Sequence, residues 1–229
     1  MNIENFYNSA DMERRICKPL GFAGTIQLDE IPDVTARIYA ITPIMAGEVD
    51  LTVLKALAGR GPVALDVQGF VRVPVGDDLI FRRWPEIDEG LAHVTYLKVD
   101  RAEAEHLTGE LDLARAARQL ASYGPREIIL TQSSGVTVFA DGQMYSAPFT
   151  PRSLAGRTGR GDTCFATYLG MRLSRSTEEA CRIAAAVTTL KQEKPGPWRG
   201  SFSEVNAVIS QPELLDADER GRTRINQEN

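Results

Sequence analysis

Seven consecutive residues, Gly156-Arg157-Thr158-Gly159-Arg160-Gly161-Asp162, stand directly ahead of an apolar helical pattern carried by Cys164, Phe165, Tyr168, Leu169 and Leu173. Glycines at this density let the backbone approach a ligand closely. A helix that begins behind them presents unpaired N–H groups and partial positive charge, the requirements for holding phosphate oxygens. The amides of Gly159, Arg160 and Gly161 would form such an anion hole. Asp162 would then be the group nearest the anion, and a carboxylate there repels phosphate unless it has a task. Accepting the proton of an attacking hydroxyl is such a task, and Arg160 would stabilise charge on a transferring phosphoryl group. The loop alone is equally compatible with a flexible turn closed by a helix-capping aspartate. It is not a Walker A loop, because no Gly-Lys-Ser/Thr follows. It is not the dinucleotide fingerprint either, because it lies late in the chain rather than in a first βα unit.

Other segments carry weaker signals. Asp100 and Glu103 follow an apolar strand pattern and offer the oxygen ligands that Mg²⁺ prefers, or else a strand end with an N-cap aspartate and a solvated glutamate. Thr131-Gln-Ser-Ser-Gly135 is a polar turn or a ligand loop. Asp66 and Gln68 end a short apolar run, where open α/β sheets bind ligands, although a structural turn explains them as well. His93 and His106 read as packing or surface residues rather than catalytic ones.

The elements that must position these groups alternate. Arg37–Ile41, Val63–Val67, His93–Val99 and Glu127–Thr131 read as strands; Val49–Ala58, Trp84–Gly90, Arg101–Leu107 and the stripe Leu113, Ala116, Ala117, Leu120, Ala121 read as helices. Continuous β-rich runs between helices imply a parallel sheet covered on both faces. After residue 131 the pattern changes: Val136–Phe139 and Met144–Ala147 flank Asp141-Gly142, the signature of a two-residue hairpin turn. Helices follow at about 160–173 and 177–191, the second with Ser176 as N-cap and Glu179 in the capping-box position. Lys194-Pro-Gly-Pro-Trp198 reads as a rigid loop, and 203–210 as a last helix. Phe6, Tyr7, Phe22, Ile26, Leu28 and Ile31 give no helix period, so residues 1–35 read as irregular strands of a partial lid.

The bulk composition removes several classes. The chain of 229 residues, 43% hydrophobic and 25% charged, suits a globular α/β fold. Its net charge of -5 argues against a nucleic-acid backbone binder. Cys17, Cys164 and Cys181 are scattered and odd in number, so neither a disulfide framework nor a zinc site is expected, and a reducing, cytoplasmic setting is. No apolar run reaches membrane-spanning length, and the N-terminus is not a signal peptide. A NAD-dependent oxidoreductase is disfavoured because no early dinucleotide fingerprint exists.

The loop at 156–162 resembles the C-terminal signature of the ribokinase-like, phosphofructokinase-B type carbohydrate kinases, whose usual form is Asp-Thr-x-Gly-Ala-Gly-Asp. Thr158, Gly159, Gly161 and Asp162 match; Gly156 and Arg157 replace Asp-Thr, and Arg160 replaces Ala. Leu97–Gly109 resembles the family's Asn-x-x-Glu segment ending in Leu-Thr-Gly, with Asp100 for the asparagine and Glu103 matching. The 131–135 segment resembles a shortened nucleotide loop, and Ala184–Lys191 resembles the small-residue helix beside the adenine pocket, which ordinary helix packing also explains. The resemblance implies a three-layer α-β-α fold with a mostly parallel sheet. It implies ATP-dependent phosphorylation of a hydroxyl on a sugar, polyol or nucleoside, with Asp162 as base and the 159–161 amides and Arg160 as anion hole. It further implies Thr131, Ser133, Gly135, Thr158, Ala185 and Thr188 at the nucleotide, Asp100 and Glu103 ordering Mg²⁺ through water, and Asp66 and Gln68 as substrate residues. The expected partners are a small-molecule sugar, polyol or nucleoside and a second copy in a homodimer, with no nucleic acid and no membrane. The expected organisation is a partial lid at 1–35, a nucleotide-binding and catalytic core at 36–212 and a polar tail at 213–229. The resemblance spans about residues 35 to 210. The family's initial strand with its substrate aspartate and its Gly-Gly sugar loop find no match, which leaves a non-catalytic nucleotide- or partner-binding protein on the same scaffold as the alternative.

Overall fold

The computed structural model describes residues 2–7 and 15–210, so the expected polar tail at 213–229 lies outside the described residues. The chain forms two compact units, Met1–Ile128 and Ile129–Asn229.

In the first unit, β1 (Asn2–Tyr7) and β2 (Arg15–Gly21) pair antiparallel. The chain then returns to a short strand β3 (Tyr39–Ile41), helix α1 (Leu51–Ala58) and strand β4 (Val63–Asp66). Asp50 caps α1 by accepting from the Val53 amide at 3.0 Å, and Val53, Leu54 and Leu57 are its buried face. Beyond β4 come one helical turn, α2 (Gln68–Val71), and a hairpin of β5 (Arg72–Val75) and β6 (Asp78–Phe81). Sequence patterning gives no sign of this hairpin, because its strands are four residues long and Pro74 removes a ladder donor. It completes a four-stranded sheet in the order β1-β2-β6-β5. The strands expected within residues 1–35 are β1 and β2 of this sheet, whose other half is built from residues 72–81.

Helix α3 spans Ile87–Leu91, not Trp84–Gly90. Trp84 precedes Pro85, which disfavours helical backbone at the residue before it. The indole instead packs on Phe70 with ring centroids 4.4 Å apart. It also occupies the space where a Cβ on Gly90 would sit, 2.2 Å away. Strand β7 (Tyr96–Asp100) leads into α4 (Arg101–Thr108), which Gly109 ends at φ 74°. Helix α5 (Leu113–Ser122) buries Ala116, Ala117 and Leu120 of the stripe its periodicity predicts and leaves Leu113 and Ala121 half-buried. Strand β4 lies between β3 and β7, parallel to both, with all four of its residues buried. Parallel strands buried on both faces need continuous apolar sequence, which Val63-Ala-Leu65 supplies.

Strand β8 (Glu127–Gln132) opens the second unit. Ser133 and Ser134 alone separate it from its neighbour β9 (Gly135–Ala140), a connection only antiparallel strands allow. Strand β10 (Gln143–Pro148) pairs antiparallel with β9 around Asp141 (φ 50°) and Gly142 (φ 76°), the positive-φ pair that the Asp-Gly turn predicts. Helix α6 (Arg160–Arg172) packs on α7 (Thr177–Gln192), which in turn packs on α8 (Phe202–Ile209). Cys164, Phe165, Tyr168 and Leu169 are buried as expected; Leu173 is not part of that stripe and is 39% exposed at the helix end. The predicted capping box holds: Ser176 Oγ accepts from the Glu179 amide and the Glu179 carboxylate accepts from the Ser176 amide, each at 3.2 Å. Among the described residues no helix is long and apolar enough to cross a membrane, and Cys17, Cys164 and Cys181 are buried and not joined in a disulfide.

Candidate functional site

Each unit carries one cluster of chemistry-bearing residues. In the second, the loop at 156–162 forms the entry to α6. Gly159 is the N-cap residue at φ 83°, a left-handed conformation that favours glycine, and no side chain caps the helix. The amides of its first turn have no partner within the helix, although the Arg160 amide folds back to Arg157 O at 3.2 Å. Asp162 lies in this first turn and is exposed. Arg160 and Gly161 are half-buried beside it, and Thr158 is exposed. The geometry thus offers helix-terminal N–H groups, a surface carboxylate and an arginine within three residues of chain.

The loop is fastened to α7. The Gly156 amide donates to Gln192 O at 2.8 Å. Lys191, only 4% exposed, directs its ammonium to the carbonyls of Gly156 and Thr158. Burial pushes the Lys191 ammonium below the usual lysine range, while the negative charge of Asp162 works in the opposite direction. Gly156 has no room for a side chain, since a Cβ there would lie 1.8 Å from Lys194 O.

The predicted nucleotide residues are distributed unevenly. Ser133 is exposed in the two-residue turn between β8 and β9, with Thr131 and Gly135 buried on either side. Ala185 and Thr188 lie wholly inside the protein, and the Thr188 hydroxyl donates back to Ala184 O at 2.6 Å. Neither of these two presents an atom to a ligand in this structure. The small side chains of α7 serve close packing instead: Ala186 and Val187 meet Val205 and Val208 of α8.

The first unit holds a buried network of five charged side chains. Lys98, within the apolar strand β7, lies 2.8 Å from Asp66 Oδ2 and 3.9 Å from Glu103 Oε2. Arg72, at the start of β5, reaches Glu103 Oε1 at 2.9 Å and Asp100 Oδ2 at 3.2 Å. Its guanidinium also donates to Cys17 Sγ at 3.0 Å and lies over the Phe81 ring, joining the four-stranded sheet to the end of β7. Asp100 and Glu103 form a capping box on α4, through Glu103 N to Asp100 Oδ1 at 2.8 Å and Asp100 N to Glu103 Oε2 at 2.7 Å. Burial raises the Asp66 carboxyl to about 6, against the pull of Lys98. Burial and the neighbouring Glu103 likewise raise Asp100. Burial would lower Lys98, but the carboxylates of Asp66, Glu103 and Asp100 outweigh it and hold the ammonium above its ordinary value.

This network bears on the expected metal and substrate roles. Glu103 has no exposed surface, and both its oxygens already accept hydrogen bonds. It cannot meet a hydrated ion without breaking them. The Asp100 side chain keeps 16% of its surface exposed and is the member able to do so. Among the described residues no group of three or more His, Cys, Asp or Glu is placed to hold a metal directly. Asp66 is 4% exposed and committed to Lys98 and to the Gln68 amide at 3.1 Å. Gln68 is half-buried, its side-chain amide 3.5 Å from Ile44 O. His106 stacks on Phe81, a packing role.

Sequence reasoning missed Arg72, Lys98 and Lys191. Two of them left a trace: Lys98 interrupts an apolar strand, and Lys191 follows an alanine-rich helical stripe. A lone cation in such a run signals a buried partner.

Residues 36–201 match the family described as pfkB family carbohydrate kinase. One solved structure, a pyrophosphate-dependent kinase in the ribokinase family in complex with sulfate, is 38% identical, with a TM-score of 0.81 over 90% of this chain and 73% of the other. A structure of a pyrophosphate-dependent kinase in the same family, complexed with a pyrophosphate analogue and myo-inositol, is 36% identical, with a TM-score of 0.78 over 84% of this chain and 70% of the other. The cytidine kinase of Thermococcus kodakarensis is 26% identical over 167 residues, 71% of this chain. The chain spans 58% of the length of that curated relative. These likenesses establish the ribokinase-like α/β fold with its mostly parallel sheet.

Proposed function

Because the chain belongs to the pfkB family of carbohydrate kinases, we propose that it transfers the terminal phosphoryl group of a donor to a hydroxyl of a small sugar, polyol or nucleoside. The observation that carries this reading is an exposed carboxylate, Asp162, in the first turn of a helix whose glycine N-cap leaves the end open to an anion. Asp162 accepts the proton of the acceptor hydroxyl. The hydroxyl oxygen bonds to phosphorus as the bridging oxygen of the donor leaves with its electron pair. The amides of Gly159 and Gly161, the Arg160 guanidinium, and the Arg160 amide once it leaves Arg157 O, hold the charge that spreads onto the phosphoryl oxygens.

The donor in this reading is ATP, with Thr131, Ser133, Gly135 and Thr158 toward its phosphates and ribose. Mg²⁺ bound to the donor would supply positive charge. Asp100 would meet its waters, and Glu103 would act behind Asp100 as its anchor. The roles assigned to Ala185 and Thr188 reduce to shaping the wall of α7. Asp66 acts with Lys98 inside the protein, and Gln68 stands nearer the substrate. A second reading, pyrophosphate as donor, is favoured by the cationic character of the loop: Arg157 and Arg160 lie in it and Lys191 beneath it. The two neighbours at 36% and 38% identity are both described as pyrophosphate-dependent. The proposal includes a homodimer, supported by the apolar side chains exposed at Phe6, Leu20 and Phe22 in and beside the lid sheet.

The test is phosphorylation of sugars, inositols and nucleosides with ATP and with pyrophosphate, by the wild type and by Asp162→Asn. Turnover abolished in the variant, with donor binding retained, supports the proposal. Donor binding without turnover on any acceptor would favour the non-catalytic reading.

A further inference from the structure

One nitrogen of Arg72 serves two carboxylates in unlike surroundings. Nη2 donates to Glu103 Oε1 at 2.9 Å and to Asp100 Oδ2 at 3.2 Å. The Glu103 side chain has no exposed surface, whereas that of Asp100 keeps 16%. The longer of the two bonds is therefore the one that reaches solvent. Asp100 is also held by its other oxygen, Oδ1, which accepts from the Glu103 amide at 2.8 Å and caps α4. Oδ2 can thus change its partner while the cap stays in place.

The same guanidinium belongs to the four-stranded sheet. Arg72 opens β5 and pairs across the hairpin with Phe81, whose ring it lies over. Nη1 donates to Cys17 Sγ on β2 at 3.0 Å, and Cys17 is 2% exposed. Phe81 also stacks on His106 of α4, with ring centroids 5.2 Å apart. The sheet and the end of β7 therefore meet at one positive charge. A second cation at Asp100 Oδ2 would stand beside that guanidinium, and like charges at such range repel. Glu103, nearer and wholly buried, keeps the arginine; Asp100, at the water edge, is the carboxylate that can release it.

We propose that Arg72 is a positioning residue that acts through Asp100: its guanidinium competes with the water shell of a divalent cation for Asp100 Oδ2, and yielding that oxygen loosens the four-stranded sheet at Cys17. This rests on the reading of Asp100 as the residue that meets the waters of the donor's Mg²⁺. The coupling is reciprocal, so a sheet fastened by Arg72 weakens cation binding by the factor by which the cation weakens the fastening.

The experiment titrates Mn²⁺ alone, an oxygen-seeking ion like Mg²⁺, into wild type, Arg72→Met and Asp100→Asn, with the free ion followed by electron paramagnetic resonance. In parallel, iodoacetamide labels the wild type and Asp100→Asn with and without saturating Mn²⁺, and peptide mapping gives the rate at Cys17. Arg72→Met is expected to bind Mn²⁺ about tenfold more tightly than the wild type, a usual size for coupled sites. A merely structural arginine would move the affinity the other way, because its loss only damages the site. Cys17 of the wild type should react at least about fivefold faster with the ion present. In Asp100→Asn both the binding and the acceleration should be lost. Binding by Arg72→Met equal to or weaker than that of the wild type would overturn the proposal, as would a wild-type Cys17 rate that the ion leaves unchanged. If Asp100→Asn removes binding while Arg72→Met does not strengthen it, the competition fails and the reading of Asp100 stands. If Asp100→Asn binds Mn²⁺ like the wild type, that reading fails and takes the proposal with it. The alkylation of the wild type needs no change at Arg72, so it decides the matter even if Arg72→Met does not fold.

Discussion

Replacing Arg72 by methionine tests whether the charge network of the first unit holds the four-stranded sheet to the end of β7. The network contains three carboxylates, on Asp66, Asp100 and Glu103, and two cations, on Lys98 and Arg72. Its formal sum is -1, which becomes -2 without the guanidinium. Arg72 is 5% exposed and serves Glu103 at 2.9 Å and Asp100 at 3.2 Å, so water cannot replace it at the wholly buried Glu103 without opening the structure. Breaking a buried pair by removing one partner costs about 3–5 kcal/mol, a large part of the roughly 5–15 kcal/mol that a fold of this kind has. Urea unfolding at pH 7 should show that loss as a lower midpoint with an unchanged slope. Adding Glu103→Gln removes the carboxylate left without its partner. The double variant should then be more stable than the sum of the two single effects predicts, by about 1–3 kcal/mol. The penalty should also shrink toward pH 5. Asp100 is already raised by burial and by Glu103, and a carboxyl raised in the folded state stabilises as it takes up its proton. A cost below about 1 kcal/mol for Arg72→Met, or strict additivity in the cycle, would refute the reasoning.

Asp66 has an ordinary value of 3.8 and about 6 in the folded protein. The folded state therefore binds more protons between these values, and this residue makes stability fall as pH rises from about 4 to 6, by up to roughly 3 kcal/mol. Urea midpoints measured across that window should lose this slope in Asp66→Asn. Gly156→Ala forces a Cβ to 1.8 Å from Lys194 O. It should cost about 1–3 kcal/mol as overpacking, visible as a lower melting temperature together with weaker donor binding in calorimetry. Ser176→Ala removes the capping box of α7 and should cost about 1 kcal/mol in urea unfolding, with turnover unchanged.

Much of the fold is written in local patterns. Ser176 and Gly109 mark helix ends through capping chemistry that acts within four residues, and Asp141-Gly142 marks a hairpin through its positive φ values, whereas the helix read from Val49 starts at Leu51 behind the Asp50 cap. The short strands β5 and β6 are not marked in this way. They are held because β5 pairs with β6 and β6 with β2, and pairing with a distant strand leaves no period in a four-residue segment. The same division holds at the sites. The 156–162 loop is visible because its glycines and Asp162 are contiguous. The partners of Asp100 and Glu103 are not, since Arg72 lies 28 and 31 residues away. Lys191 is separated from the carbonyls it holds by 35 and 33 residues. Their acceptors are main-chain atoms, which no side-chain pattern reveals. Thr188 and Asp66 show the opposite effect: residue types that suit a ligand are occupied by interior bonds to Ala184 O and Lys98.

The central claim is that Asp162 takes the acceptor's proton at an anion hole built from the start of α6. Steady-state phosphorylation of an accepted sugar, inositol or nucleoside, measured for the wild type and Asp162→Asn beside donor binding by calorimetry, tests it most directly. Loss of the base should lower kcat by about 100-fold to 10,000-fold while the donor still binds. An Asp162→Asn protein that turns over at the wild-type rate would contradict it.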